Sequence, residues 1–140
     1  MSNDPTNAGI AVHHLHYCCR DPKAAGQWFA DVLGAKITKE GVNFFGGATG
    51  VLVDLTGTNL FIRGPRPGEK LDDGALPSRF GFDHIGLRVA DMDALAAHLR
   101  ARGVTFEVDV HEFRPGVRVA FITGPENIRI ELSESRPAPA

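Results

Sequence analysis

HLHYCCRDPKAAGQWFADVLGAKI, residues 14–37, and HIGLRVADMDALAAHLRARGVTF, residues 84–106, carry one pattern twice. Each copy places a histidine seven residues before an aspartate, His14 before Asp21 and His84 before Asp91. A short side-chain oxygen ahead of an apolar run caps the unpaired N–H groups of a first helical turn, so both aspartates are N-cap candidates. Pro22 follows the first at the helical position where a missing N–H loses nothing. In the helix after Asp21, Ala25, Trp28, Phe29, Val32 and Leu33 share one face; after Asp91, Met92, Leu95, Ala96 and Leu99 do. Gly34 and Gly103 then stand where a left-handed residue ends a helix.

The residues before each aspartate read as a strand, and three strand candidates follow each helix. They are 35–39, 50–55 and 59–63 in the first half, and 105–110, 118–122 and 128–132 in the second. Each half is thus βαβββ. The expected fold is α+β, with two βαβββ modules, residues 10–64 and 81–134, making an incomplete, mostly antiparallel barrel around a cleft. Equivalent residues of the two copies then face each other across it, which draws attention to the paired histidines.

Outside the modules the sequence changes character. Residues 64–81, GPRPGEKLDDGALPSRFG, are rich in Gly, Pro and charge and read as a linker or lid. Residues 1–9 and 135–140 read as tails with nothing to bury, leaving one domain of residues 10–134. The chain of 140 residues is 43% hydrophobic and 23% charged, an ordinary globular balance at one domain's length. Its 15 Lys and Arg are scattered among 17 Asp and Glu, net charge -2, so no basic stripe offers nucleic acid its phosphate contacts. Apolar stretches fall far short of the roughly 20 residues of a membrane-spanning helix. The adjacent Cys18 and Cys19 are poorly placed to bridge one another and no signal peptide precedes them, so a cytoplasmic setting is expected.

Alternate strand residues share a face, so if His14 points into the cleft, His16 and Cys18 follow, while His13 and Tyr17 point away. An imidazole near a bound substrate titrates close to working pH, which makes His16 the candidate acid/base. A packing role in the cleft wall, or both rings of the HxH pair on one metal, are the alternatives. Cys18 reads as filler. Nine phenylalanines against one tyrosine suggest an apolar pocket, with Phe44, Phe45, Phe61, Phe106, Phe113 and Phe121 on or beside cleft-forming segments. Arg63, Arg88 and Arg118 lie on strands, where an inward guanidinium clamps a carboxylate or phosphate. Arg88 shares the parity of His84. HEFRPGV, residues 111–117, reads as a flexible crossing whose His111, Glu112 and Arg114 close over a ligand.

His14 with Asp21 and the helix to Leu33-Gly34, FDHIGLRVAD from Phe82, and FITGPENIRIEL ending at Leu132 resemble the vicinal oxygen chelate superfamily over about residues 10–134. That superfamily includes glyoxalase I, extradiol dioxygenases, methylmalonyl-CoA epimerase, fosfomycin-resistance transferases and bleomycin-binding proteins. The terminal stretch is similar to the family's F-x-DPDG-x-x-IEL, with Gly124 for Asp and Glu126-Asn127 for Asp-Gly. The resemblance implies a metal in the cleft, with His14, His84 and Glu131 as its ligands. Two imidazoles and a carboxylate suit a divalent transition metal and leave positions open for substrate.

Glyoxalase I and the epimerase take a further Glu or Gln from the fourth strand; here that strand reads Leu60, Phe61, Ile62 and Arg63, and the fourth ligand is absent. The departure leans toward the three-ligand pattern. The favoured reading is a metal-dependent enzyme of dioxygenase type using Fe(II), with Mn, Zn or Ni as other metals, on a small substrate chelated through vicinal oxygens. Its catalytic residue is His16 and its pocket residues are Phe61, Arg63, Arg88, Phe113, Arg118 and Phe121. A glyoxalase-like lyase or isomerase, or a thiol transferase, is the alternative reaction, and a drug-sequestering protein like those of bleomycin resistance the alternative class. The incomplete sheets and long connection suggest a homodimer.

Overall fold

The computed structural model describes residues 11–44, 46–72 and 80–136. Residues 1–10, which include the expected tail 1–9, Phe45, residues 73–79 of the connection and residues 137–140 lie outside the described residues, and the expected tail 135–140 is corrected at its start, where Ser135 still belongs to a strand. The chain divides into two compact units, Met1–Lys70 and Leu71–Ala140. The first carries β1 (His14–Cys18), α1 (Pro22–Leu33), β2 (Lys36–Phe44), β3 (Ala48–Leu55) and β4 (Thr58–Arg63). The second carries β5 (Ile85–Arg88), α2 (Met92–Ala101), β6 (Phe106–Arg114), β7 (Val117–Thr123) and β8 (Arg129–Ser135).

Each unit is the expected βαβββ, with sheet orders β1-β4-β3-β2 and β5-β8-β7-β6. In each, one pairing is parallel, β1 with β4 and β5 with β8, and two are antiparallel. The connection across the helix makes this so, because a helix that lies on one sheet face returns the chain beyond its first strand. Asp21 accepts from the N–H of Ala24 at 2.9 Å and Asp91 from that of Ala94 at 3.0 Å, so both caps form as read. Helix α1 stops at Gly34, in the left-handed region at φ 70°.

Register puts Leu60, Ile62, Val51 and Val53 on the helix side of the first sheet, where they are at most 1% exposed beneath Phe29. Gly26 is small for a reason: a Cβ there would stand 2.7 Å from Val51 Cγ1, too close for α1 to sit on β3. In the second unit Ile122, Ile130 and Leu132 close beneath Met92 and Leu99, all fully buried. Each such side chain contributes roughly 1.5–3 kcal/mol over leaving it in water.

Two local expectations are corrected. Strands β2 and β6 run several residues past the stretches read from sequence, because register shifts at residues 37–39 and 41–44 and along 106–114 absorb the residues that broke the alternation. The HEFRPGV stretch is therefore the end of β6 and a tight turn at Gly116, φ 80°, rather than a flexible crossing. Among the described residues no helix is long and apolar enough to cross a membrane.

Candidate functional site

In the first unit the register pairs His14 with Asn59, His16 with Phe61 and Cys18 with Arg63. Strand alternation thus sets His14, His16, Phe61 and Arg63 together on the face turned away from α1. Tyr17 falls on the other face, its ring edge-on to Phe29 of α1 at 6.1 Å. The His14 ring lies flat on Phe61, with centroids 4.0 Å apart and planes 12° from parallel. His16 meets the same phenylalanine edge-on at 6.2 Å and stands 6.2 Å from His14. Partial desolvation first, then the positive charges of Arg63, His14 and Arg66, hold the His16 pKa below 6.5. His13, expected to point away, brings its Nδ1 to 2.8 Å from Nδ1 of His14.

In the second unit Gly86 pairs with Glu131, and Glu131 with Phe121. His84, two residues before Gly86, reaches back over that pair, and its Nε2 stands 2.8 Å from Oε2 of Glu131. Its Nδ1 meets Oδ2 of Asp83 at 2.7 Å. A neutral imidazole carries one N–H and can donate to one of these carboxylates only. The other contact needs a second ring proton or a cation. At 2.8 Å, Nε2 and Oε2 are close enough to share either a proton or a divalent ion. The Asp83 carboxylate also receives Nη1 of Arg129 at 2.6 Å, while Nε of Arg129 bonds Glu107 at 2.9 Å. The Arg129 guanidinium lies 4.7 Å over the Phe121 ring, which is itself edge-on to His84 at 5.2 Å. The hydrogen bond from His84, followed by the Arg129 charge, holds the Asp83 carboxyl below its ordinary range.

The named candidates divide as follows. His84, Glu131 and Phe121 meet in the second unit, and His14, His16 and Phe61 in the first. Among the described residues no three His, Cys, Asp or Glu side chains gather as a metal-holding group, so the second unit supplies the His84–Glu131 pair without a complete ligand set. Arg88 is exposed on the register face of Glu131. Phe113 stands 68% exposed on β6.

Arg118 is a correction. Its parity with Ala120 and Ile122 turns it to the helix side, where it bonds Glu134 at 3.0 Å and Asp93 at 2.9 Å instead of lining a pocket. Arg63 has the expected face, yet it is 7% exposed and engaged by Glu69 through contacts of 2.6 and 3.1 Å. That hydrogen bond, with one from the Arg66 N–H, takes the Glu69 carboxyl down to about 2. Asp83, Arg129 and His13 were missed by sequence reasoning. The signals were adjacency, since Asp83 and His13 each precede a paired histidine, and the parity of Arg129 with Glu131.

The terminal turn also departs from the family pattern in a legible way. A Cβ on Gly124 would stand 2.9 Å from Ile128 Cγ1, so Asp there would require that side chain to shift, and Glu126 and Asn127 adopt φ of 56° and 58°. The strand that carries Glu131 is preserved beyond it.

The model of the Glyoxalase/Bleomycin resistance protein/Dioxygenase superfamily matches residues 11–132, and the chain belongs to that superfamily. A 2-epi-5-epi-valiolone epimerase from an Actinomyces species is 31% identical over 134 residues, 85% of this chain; the match spans 66% of the epimerase, just under two thirds. Among solved structures, a glyoxylase/bleomycin resistance protein/dioxygenase domain from Frankia sp. EAN1pec is similar, with TM-score 0.72, 23% identity and coverage of 93% of this chain and 95% of that one. The fosfomycin resistance protein FosX from Listeria monocytogenes, solved with Mn(II) and sulfate, has TM-score 0.65 and 14% identity, covering 92% of this chain and 93% of its own. At these identities the two structures speak for the fold alone.

Proposed function

We propose that this chain is a metal-dependent enzyme that moves a proton on a small substrate held through two neighbouring oxygens. The observation that carries the reading is the His84–Glu131 pair, 2.8 Å apart with the far nitrogen of His84 already engaged by Asp83. Ligating histidines are usually held in this way, their second nitrogen on a carboxylate. His84 and Glu131 are the proposed ligands, His14 is the third that the resemblance implies, and Fe(II), Mn(II), Zn or Ni suits two imidazoles and one carboxylate. When bound, such an ion supplies a Lewis acid that polarises substrate oxygens. The name of the epimerase relative supports proton movement for this chain, and the Mn(II) of FosX shows that another protein of this fold holds such an ion.

His16 takes the role of acid/base. It shares the strand face of His14, and its lowered pKa leaves the ring neutral and able to accept a proton near pH 7. Phe61 in the first unit and Phe121 in the second each set an apolar ring against a histidine, stacked on His14 and edge-on to His84. Arg88, exposed on the Glu131 face, is the cation offered to an anionic substrate group.

A dioxygenase-type reaction with Fe(II) is the second reading, and Phe61 favours it. In the fourth strand this phenylalanine fills the place beside His14, so at most three protein ligands are offered and open positions remain for substrate and oxygen. One experiment separates the two. Metal-reconstituted protein is given small hydroxy ketones in deuterated water and, separately, catechols under air. Deuterium entering the carbon next to the carbonyl, without oxygen uptake, supports the proton-transfer reading. Oxygen uptake with catechols refutes it in favour of the dioxygenase.

A further inference from the structure

The two histidines that open the repeats are held alike. In the second unit the side chain of Asp83, directly before His84, takes Nδ1 of His84 at 2.7 Å. In the first unit the side chain of His13, directly before His14, meets Nδ1 of His14 at 2.8 Å. The chemistry differs, a carboxylate in one and an imidazole in the other, but the atom engaged and the step in sequence are the same. Neither preceding residue lies within its strand, since β1 begins at His14 and β5 at Ile85. Outside the strict alternation of a ladder, neighbouring side chains can turn toward each other.

We infer that Asp83 and His13 are positioning residues, each fixing the ring of the histidine that follows so that the proton sits on Nδ1 and the Nε2 lone pair is presented. For His84 the argument is competitive. Two carboxylates flank one ring, Asp83 at Nδ1 and Glu131 at Nε2. The neutral ring has one N–H to give. Asp83 is anchored by Arg129, which is held in turn by Glu107 and by the face of Phe121, so the acceptor at Nδ1 is fixed in place. With the proton there, Nε2 and Glu131 present a lone pair and a carboxylate side by side, a donor set for a cation. For His14 the same result follows when its Nδ1–H donates to Nδ1 of His13. The neighbour of each ring thereby sets which nitrogen can bind, a role that removal of the ring itself would not reveal.

The metal part of this inference rests on the proposed function, and the tautomer part does not. The test is therefore made first on metal-free protein, by nitrogen-detected NMR of the histidine rings at pH 8.5. His84 is expected as the Nδ1–H form in the native protein. In Asp83→Ala it is expected to change to the Nε2–H form, donating to Glu131, and Asp83→Asn, whose carbonyl still accepts, restores Nδ1–H. His13→Ala is expected to release His14 to a mixture of tautomers. An Nε2–H or doubly protonated form of His84 in the native protein, or a tautomer unchanged in Asp83→Ala, overturns the inference. Titration with Mn(II) alone is the second readout, with Asp83→Ala expected to weaken binding roughly 10- to 100-fold. Native protein that holds the Nδ1–H form and yet binds no metal supports the positioning role and refutes the metal reading. Asp83→Ala that changes tautomer with unaltered Mn(II) affinity overturns the link between them.

Discussion

Phe61 occupies in the first unit the place that Glu131 occupies in the second. Phe61 pairs with His16, two residues after His14, and Glu131 pairs with Gly86, two residues after His84. One histidine therefore has an aromatic ring stacked on it at 4.0 Å, and the other has a carboxylate at 2.8 Å. At this one strand position the first unit presents an aromatic ring and the second a carboxylate.

Phe61→Glu should give the first unit its own histidine–carboxylate pair. If His14 is a ligand, the affinity for Mn(II) measured by calorimetry rises relative to the native protein. An affinity unchanged, in a variant whose circular dichroism matches the native protein, removes His14 from the ligand set.

His16→Ala should lower turnover by roughly 10²- to 10⁴-fold, the scale of a lost general acid or base, with metal content intact by elemental analysis. Loss of metal would make His16 a ligand, and full turnover would make it a wall residue.

The helix starts predict a stability difference. Pro22 has no N–H at the first position of α1, and Gly64 lies against its ring, where a Cβ would stand 3.5 Å from Cδ. At the matching places in the second unit, the N–H of Met92 donates to the buried Glu134 carboxylate at 2.6 Å. Arg118 and Arg136 also bond Glu134. Asp91→Ala should cost about 1 kcal/mol by chemical denaturation, the usual loss for a cap. Glu134→Ala should cost more, because it strands a buried N–H and two guanidinium groups. Equal losses would contradict the account of this network.

Acid should loosen the first unit through Glu69. Its carboxyl is lowered from 4.5 to about 2, so its contribution is complete above about pH 4.5 and disappears as pH falls toward 2. Glu69→Gln should flatten that part of the stability profile and leave neutral-to-alkaline behaviour parallel to the native protein. An unchanged acid limb would count against the Arg63–Glu69 bond.

The fold was legible because its signals are local and occur twice: an aspartate cap, a glycine end, and a histidine at the same distance before each cap. Strand parity likewise set His14, His16 and Cys18 on one face. What was not legible depends on pairing between strands distant in sequence. Arg118 is one of several strand arginines, and only its register opposite Glu134 shows that it faces the helix. The bulges of β2 and β6 hid their true lengths, since an extra residue breaks the alternation from which a strand is read. Asp83 and His13 escaped because a residue next to a candidate ligand is assigned to the opposite face, a rule that holds only inside a strand.

His84 and Glu131 are proposed to bind one divalent metal, with His14 as the third ligand that the resemblance implies. Elemental analysis of protein purified without chelators, set beside His14→Ala, His84→Ala and Glu131→Ala prepared identically, tests it most directly. Close to one transition-metal ion per native chain and little in each variant is expected, with folding preserved by circular dichroism. Native protein without metal that also fails to take up Fe(II), Mn(II), Zn or Ni on dialysis, or variants that retain the full ion, would contradict it.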